Sequence, residues 1–137
     1  MKSRAGASHA KLLSSARKVR SHAHAPYSKF MVGAAVLDDR GRIHVGCNVE
    51  NASYGLTVCA ERNAVAAAVA AGARSIVAVT VVTAASPAAP PCGACRQVLV
   101  EFGNDDLIVE LAGPAGKAAQ RLTLRDLLPQ AFRLRRR

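Results

Sequence analysis

Cys59-Ala60-Glu61-Arg62, followed by Pro91-Cys92-Gly93-Ala94-Cys95 with 30 residues between Glu61 and Cys92, is the stretch that decides how this chain is read. Three thiols, Cys59, Cys92 and Cys95, fill three corners of a zinc tetrahedron and leave the fourth open. An open corner separates a catalytic zinc from a structural one, because water or substrate must enter there. A carboxylic acid two residues beyond the first thiol can sit beside that corner without being a ligand. Each motif also marks a helix start. Helix N-termini carry partial positive charge, which favours thiolate over thiol. Three thiolates around zinc leave a net negative site, so Arg62 and Arg96, each one residue from a motif position, are expected to donate hydrogen bonds to sulfur.

Blander readings of the same residues exist. A lone CxxC also serves as a redox pair or as half of a structural zinc site. Cys47 could join the other three cysteines in a closed four-thiolate site. The position of Glu61, and Pro91 just before Cys92, favour the open site. Cys47 falls mid-strand by pattern and reads as a small packing residue. His9, His22, His24 and His44 match no ligand spacing and read as surface or loop groups.

Outward from the motifs the elements follow. Cys59–Ala71 is dense in alanine, the best helix former, and Gly72 follows as a stop. Ile76–Thr83 is a β-branched apolar run, read as a buried strand. Gly93–Phe102 reads as a helix ended by Gly103, Leu107–Leu111 as a strand, and Leu124–Leu128 as a short helix before Pro129. Upstream, Leu12, Leu13, Ala16 and Val19 share one face of a helix over residues 8–20. Pro26 keeps Ala25 out of helical geometry. Phe30–Leu37 and Ile43–Asn48 then read as a hairpin turned at Asp38–Gly41. The order α-β-β-α-β-α-β-α predicts an α/β fold, a mixed sheet with helices on its faces.

A chain of 137 residues, half of them apolar, is one domain's length and can bury a core. No apolar run reaches the ~18 residues of a membrane span. The first residues lack a long apolar segment, so the reading expects no secretory signal and a cytoplasmic protein with reduced thiols. The formal charge of +10 invites a nucleic-acid partner. Its placement argues otherwise: residues 1–20 hold six Lys or Arg and no acid, residues 133–137 hold four Arg, and residues 21–132 balance nine against nine. A groove tracking a phosphate backbone needs positive charge on the folded body. The basic ends (about 1–8 and 133–137) read as solvated segments on a single domain spanning 1–137, with nucleic acid an unlikely partner.

The paired motifs match the zinc deaminase signature H-x-E…P-C-x-x-C, with cysteine in the histidine place. The chain resembles the homotetrameric, three-cysteine cytidine deaminases over roughly residues 10–132. Pro26–Phe30 with Val32–Ala35, Gly46–Gly55, Cys59–Arg62, Pro91–Leu99, and Leu127–Pro129 with Phe132 carry the likeness. The resemblance implies a mixed five-stranded sheet with helices on both faces. It implies one Zn²⁺ per chain on Cys59, Cys92 and Cys95, with Glu61 as proton shuttle. Asn48 and Glu50 would bind the sugar 3′-hydroxyl and Phe30 would line the base site. Ala52 and Tyr54 would reach a neighbouring subunit's site near the 5′-hydroxyl. Phe132 would stack on a base across a subunit boundary. Backbone groups of Ala60 and Pro91 would contact the pyrimidine and the leaving amine.

The chemistry expected is hydrolytic: water adds to C4 of cytosine, the ring nitrogen gains a proton, and the amine leaves as ammonia. One carboxyl beside the metal can carry both protons in turn. The expected function is deamination of cytidine and deoxycytidine in pyrimidine salvage. The alternatives are a related aminopyrimidine or antibiotic nucleoside as substrate, a polynucleotide cytosine deaminase, and a non-catalytic zinc module. Asn48 and Glu50, at i and i+2, would share one strand face. Of the five aromatics, Tyr27, Phe30, Tyr54, Phe102 and Phe132, three fall in the blocks that would grip a flat base. Taken alone, Phe30 and Phe102 read as core and Tyr54 as a loop anchor.

Overall fold

A computed structural model describes residues 4–134; Arg135–Arg137 of the arginine tail lie outside the described residues. Helix α1 (Arg4–Arg20) is followed by strands β1 (Gly33–Asp38) and β2 (Ile43–Cys47). Then come α2 (Ala60–Ala70), β3 (Ile76–Val82), α3 (Gly93–Phe102), β4 (Ile108–Ala112), β5 (Gln120–Thr123) and α4 (Leu124–Leu127). The five strands form one sheet in the order β2-β1-β3-β4-β5. β3 and β4 run parallel, joined through α3, and every other neighbouring pair is antiparallel. The sheet is therefore mixed, as expected.

Alternation along the strands sends apolar side chains to both faces. Ala34, Val36, Val79, Val81, Val109 and Leu111 pack with Ala60, Ala64 and Val65 of α2 and Leu99 of α3 on one side. Ala35, Ala78, Val82 and Ala112 meet Leu12 and Ala16 of α1 on the other. Burying a side chain such as Leu12 is worth roughly 2 kcal/mol, and this holds α1 on the sheet. Beyond the basic end, the later basic residues of α1 also tie it to the body of the fold. Arg17 donates to the Gly113 carbonyl at 3.2 Å and Arg20 to the Met31 carbonyl at 2.9 Å. Arg133 likewise docks, donating to the Val100 carbonyl at 2.7 Å at the end of α3.

Two glycines allow helices to lie unusually close to the sheet. A Cβ on Gly46 would stand 2.3 Å from the Ala64 nitrogen and 2.6 Å from the Ala60 oxygen of α2. On Gly33 it would stand 2.1 Å from the Ala16 oxygen of α1. The Gly46 contact fixes the height of α2 over β2, and with it the start of the first motif.

Three elements differ from the sequence reading. The residue pattern did not place β5, the fifth strand the resemblance implies: Gln120-Arg121-Leu122-Thr123 is a short polar edge strand that exists by pairing with β4, where Arg121 meets Glu110. β1 begins at Gly33 rather than Phe30 because the Asn48 side chain takes over the ladder there. Its Oδ1 accepts the Val32 N–H at 2.8 Å and its Nδ2 donates to the Phe30 carbonyl at 2.8 Å. β2 correspondingly ends at Cys47, so Asn48 and Glu50 do not share a strand face. The histidines also differ: His44 lies 2.9 Å from Asp38, and His9 lies 3.1 Å from Glu110, both acids being buried.

Candidate active site

Both motif helices begin at the same end of the sheet, above the C-terminal end of β3. Cys59 is the extended residue preceding α2, and Cys92 holds the same place before α3. Each cysteine therefore lies where a helix presents free N–H groups. Cys95 follows one turn into α3 and is fully buried. The three sulfurs lie within 4.8 Å of one another. Cys59 and Cys92 are 3.9 Å apart, and Cys92 and Cys95 are 3.5 Å apart. Zinc–sulfur bonds of about 2.3 Å in tetrahedral geometry place sulfurs about 3.8 Å apart. The donor set and spacing fit zinc. Cys47 is not among the clustered thiols; it sits at the end of β2, and its carbonyl accepts from Asn63 at 2.8 Å.

The cluster's charge is uneven. Hydrogen bonding from Cys95, with further bonds from Arg62 and Cys92, draws the Cys59 thiol down to about 5 against the opposing effect of burial. The same bond to Cys59, reinforced by burial, pushes the Cys95 thiol far up. Arg62 supplies the cationic partner, with Nη2 3.8 Å from the Cys59 sulfur and 3.3 Å from the Thr57 carbonyl. Arg96 does not play the matching part. Its guanidinium donates to the Pro91 carbonyl at 2.7 Å and the Leu127 carbonyl at 2.6 Å. It braces the turn before Cys92 against α4 and leaves the sulfurs to Arg62.

Glu61 lies in the first turn of α2 and is only 5 % exposed. Burial raises its pKa, and the neighbouring Cys59 charge adds to the rise. A cavity of about 200 Å³ brings Glu61 together with Phe30, Asn48, Cys59, Ala60 and Cys92. Thr57 stands at its edge and also lines a second, more open cavity of about 380 Å³ formed with Tyr27, Ser28, Glu50 and Tyr54. The two cavities meet at that threonine.

Most of the sequence-derived residues therefore converge. Phe30, 42 % exposed, forms a wall of the cavity and is not core. Pro91 is buried behind the site, while Ala89 and Pro90 line it. Ala52 and Phe132 line neither cavity of this chain; Phe132 is 67 % exposed, with its carbonyl held by Gln97 at 3.0 Å. Sequence reasoning gave no role to Thr57, Thr83 or Ser28. Thr83, at the end of β3, and Thr57 become lining residues only when α2 and β3 meet. Ser28 had a visible signal: it lies inside the Pro26–Phe30 block.

A cluster of three thiols sharing a cavity with a buried carboxylic acid, on a five-stranded mixed sheet, marks the class of zinc-binding deaminases. The family model of the cytidine and deoxycytidylate deaminase zinc-binding region matches residues 7–111. A cytidine deaminase of Sporosarcina psychrophila is 47% identical over 122 residues, covering 89% of each chain. That of Mycobacterium tuberculosis is 43% identical over 123 residues, covering 90% of this chain and 88% of the relative. Among solved structures, the cytidine deaminase of Burkholderia pseudomallei superposes with a TM-score of 0.85 at 47% identity. It covers 90% of this chain and 98% of that one. The chain belongs to the cytidine and deoxycytidylate deaminase zinc-binding family.

Proposed function

We propose that this protein hydrolytically deaminates cytidine and deoxycytidine to uridine and deoxyuridine, releasing ammonia. The observation that carries this reading is the meeting of Cys59, Cys92 and the buried Glu61 in one cavity with Asn48 and Phe30. Cytidine deaminases at 43–47% identity over about nine-tenths of the chain support it.

Cys59, Cys92 and Cys95 would hold the zinc. When bound, zinc acts as a Lewis acid that makes water a nucleophile near neutral pH. Everything else falls to the chain's own groups. Phe30 offers a flat apolar wall to the pyrimidine, the Ala60 backbone borders the ring, and Pro91 supports from behind the Ala89–Pro90 segment that lines the site. Asn48 and Glu50 take the sugar hydroxyl. Glu61 receives a proton from the attacking water and delivers it to the ring nitrogen. It then passes the proton of the newly attached hydroxyl to the amine, which leaves as ammonia while the carbonyl forms. Burial suits the carboxyl to this shuttle, since a raised pKa keeps its protonated form accessible as it hands each proton on.

The substrate is a small nucleoside and the assembly a homotetramer, with Ala52, Tyr54 and Phe132 serving a neighbouring subunit's site. The exposure of Tyr54 and Phe132, with Leu56 and Val49 also exposed, supports such contacts. Among the described residues no helix is long and apolar enough to cross a membrane. A cytoplasmic place in pyrimidine salvage suits free thiols kept reduced.

The test is a cytidine assay with zinc quantified on the same sample. One zinc per chain and a shift of the ultraviolet spectrum from cytidine to uridine are expected. Zinc-loaded protein that leaves cytidine and deoxycytidine untouched refutes the reading. Light scattering of the active protein should give a tetramer, and an active monomer would contradict the shared sites.

A further inference from the structure

We infer that Ser28 is a positioning residue that sets the Glu50 carboxylate for the sugar hydroxyl and ties it to the Phe30 wall. The inference rests on the reading of Glu50 as the sugar-binding acceptor given above.

Ser28 Oγ accepts the Phe30 N–H at 3.0 Å. Its own single proton is donated to Glu50 Oε2. Glu50 Oε1 accepts two backbone N–H groups, from Tyr27 at 3.0 Å and from Ser28 at 3.2 Å. The protein thus gives Glu50 three donors and no acceptor. These bonds, the Ser28 hydroxyl first among them, hold the carboxyl below the usual carboxylate range. An ionised carboxylate only accepts. The remaining lone pair on Oε2 is fit for a hydroxyl donor and for nothing that must itself accept.

Removing the Ser28 hydroxyl leaves Glu50 held through Oε1 alone. The terminal torsion of a glutamate is broad, so Oε2 then swings freely. The same loss frees the Phe30 N–H. Phe30 is otherwise held from its carbonyl by Asn48, whose Oδ1 takes the Val32 N–H. Ser28 and Asn48 therefore brace the base wall from two sides, and each links it to a sugar-binding residue. Ser28 also spans Lys29, which has φ 62 in the left-handed region, and the hydroxyl bond to the Phe30 N–H closes that turn.

The experiment compares kcat/KM for cytidine and 3′-deoxycytidine on the zinc-loaded wild type, Ser28→Ala and Ser28→Thr. For cytidine, Ser28→Ala is expected to lower kcat/KM about tenfold, the order of one hydrogen bond to a charged group, through KM more than kcat. For 3′-deoxycytidine, which offers Glu50 no hydroxyl, only the freed Phe30 N–H remains; Asn48 still holds the Phe30 carbonyl, so the change is expected to stay within about twofold, and Ser28→Thr restores cytidine turnover. Equal losses on both substrates, or no loss on cytidine, overturn the inference. Glu50→Gln separates it from its parent reading. If that change leaves cytidine kinetics intact, the sugar-binding role falls and the positioning role with it. If Glu50→Gln raises KM and Ser28→Ala does not, only the positioning role falls.

Discussion

Gly46→Ala is a one-methyl change, and its effect on the metal site follows from the packing of α2 on β2. The added Cβ stands 2.3 Å from the Ala64 nitrogen, 2.6 Å from the Ala60 oxygen and 2.8 Å from the Asn63 carbonyl carbon. All three are backbone atoms of one helix, so no side chain can rotate away. Relief to the 3.4 Å of ordinary contact requires α2 to withdraw by about 1 Å. The helix start carries Cys59 and Glu61, whereas Cys92 and Cys95 ride on α3 and do not move with it. A metal site tolerates about 0.2 Å in ligand distance, several times less than the shift. Overpacking of this kind costs roughly 1–3 kcal/mol of stability, and a 1 Å misplacement of reacting groups costs about 100-fold in rate. The expected result is a folded protein with weakened zinc affinity in a chelator competition, and kcat down about 100-fold when zinc is in excess. Circular dichroism melting reports the fold separately. Unchanged zinc affinity and unchanged turnover in Gly46→Ala would refute the claim that this close approach sets the site.

Glu61→Gln should keep zinc and the melting temperature while losing about 10²–10⁴ in kcat; near-normal turnover would remove the shuttle. Cys47→Ser should leave zinc content at the wild-type value and Cys95→Ser should abolish it, both read by metal analysis; zinc loss in the former would revive a four-thiolate site. Asp38 is 1 % exposed, and burial alone would raise its pKa. Bonds from His44, the Arg42 and Arg40 amides and the Arg42 side chain outweigh this and hold it far below 3.8. A depressed carboxyl stabilises the fold above the unfolded value, and that stability is lost as pH falls below it. Urea unfolding should therefore show Asp38→Asn less stable by about 2 kcal/mol at pH 7, with the gap narrowing below pH 3.8. A gap independent of pH would contradict the assignment.

Much of the molecule was legible in the residues themselves. The alanine run closed by Gly72, the β-branched run of β3 and the start of α3 at Cys92 have strong local causes, and the structure puts them within a residue or two of the reading. The spacing of Cys59, Glu61, Cys92 and Cys95 already named a metal and an acid, because ligand chemistry restricts which residues can recur at such intervals. What the chain alone did not decide was where polar side chains spend their hydrogen bonds. Asn48 replaces a stretch of ladder, Arg96 turns to two carbonyls, Ser28 joins Glu50 to Phe30, and β5 exists only beside β4. Each outcome depends on a partner outside the local residue pattern, brought within about 3 Å by the packing of helices, loops and sheet. Local patterns fix elements through backbone preference and apolar period. The partners of buried polar groups are set by the tertiary fold, where an unmade hydrogen bond is expensive.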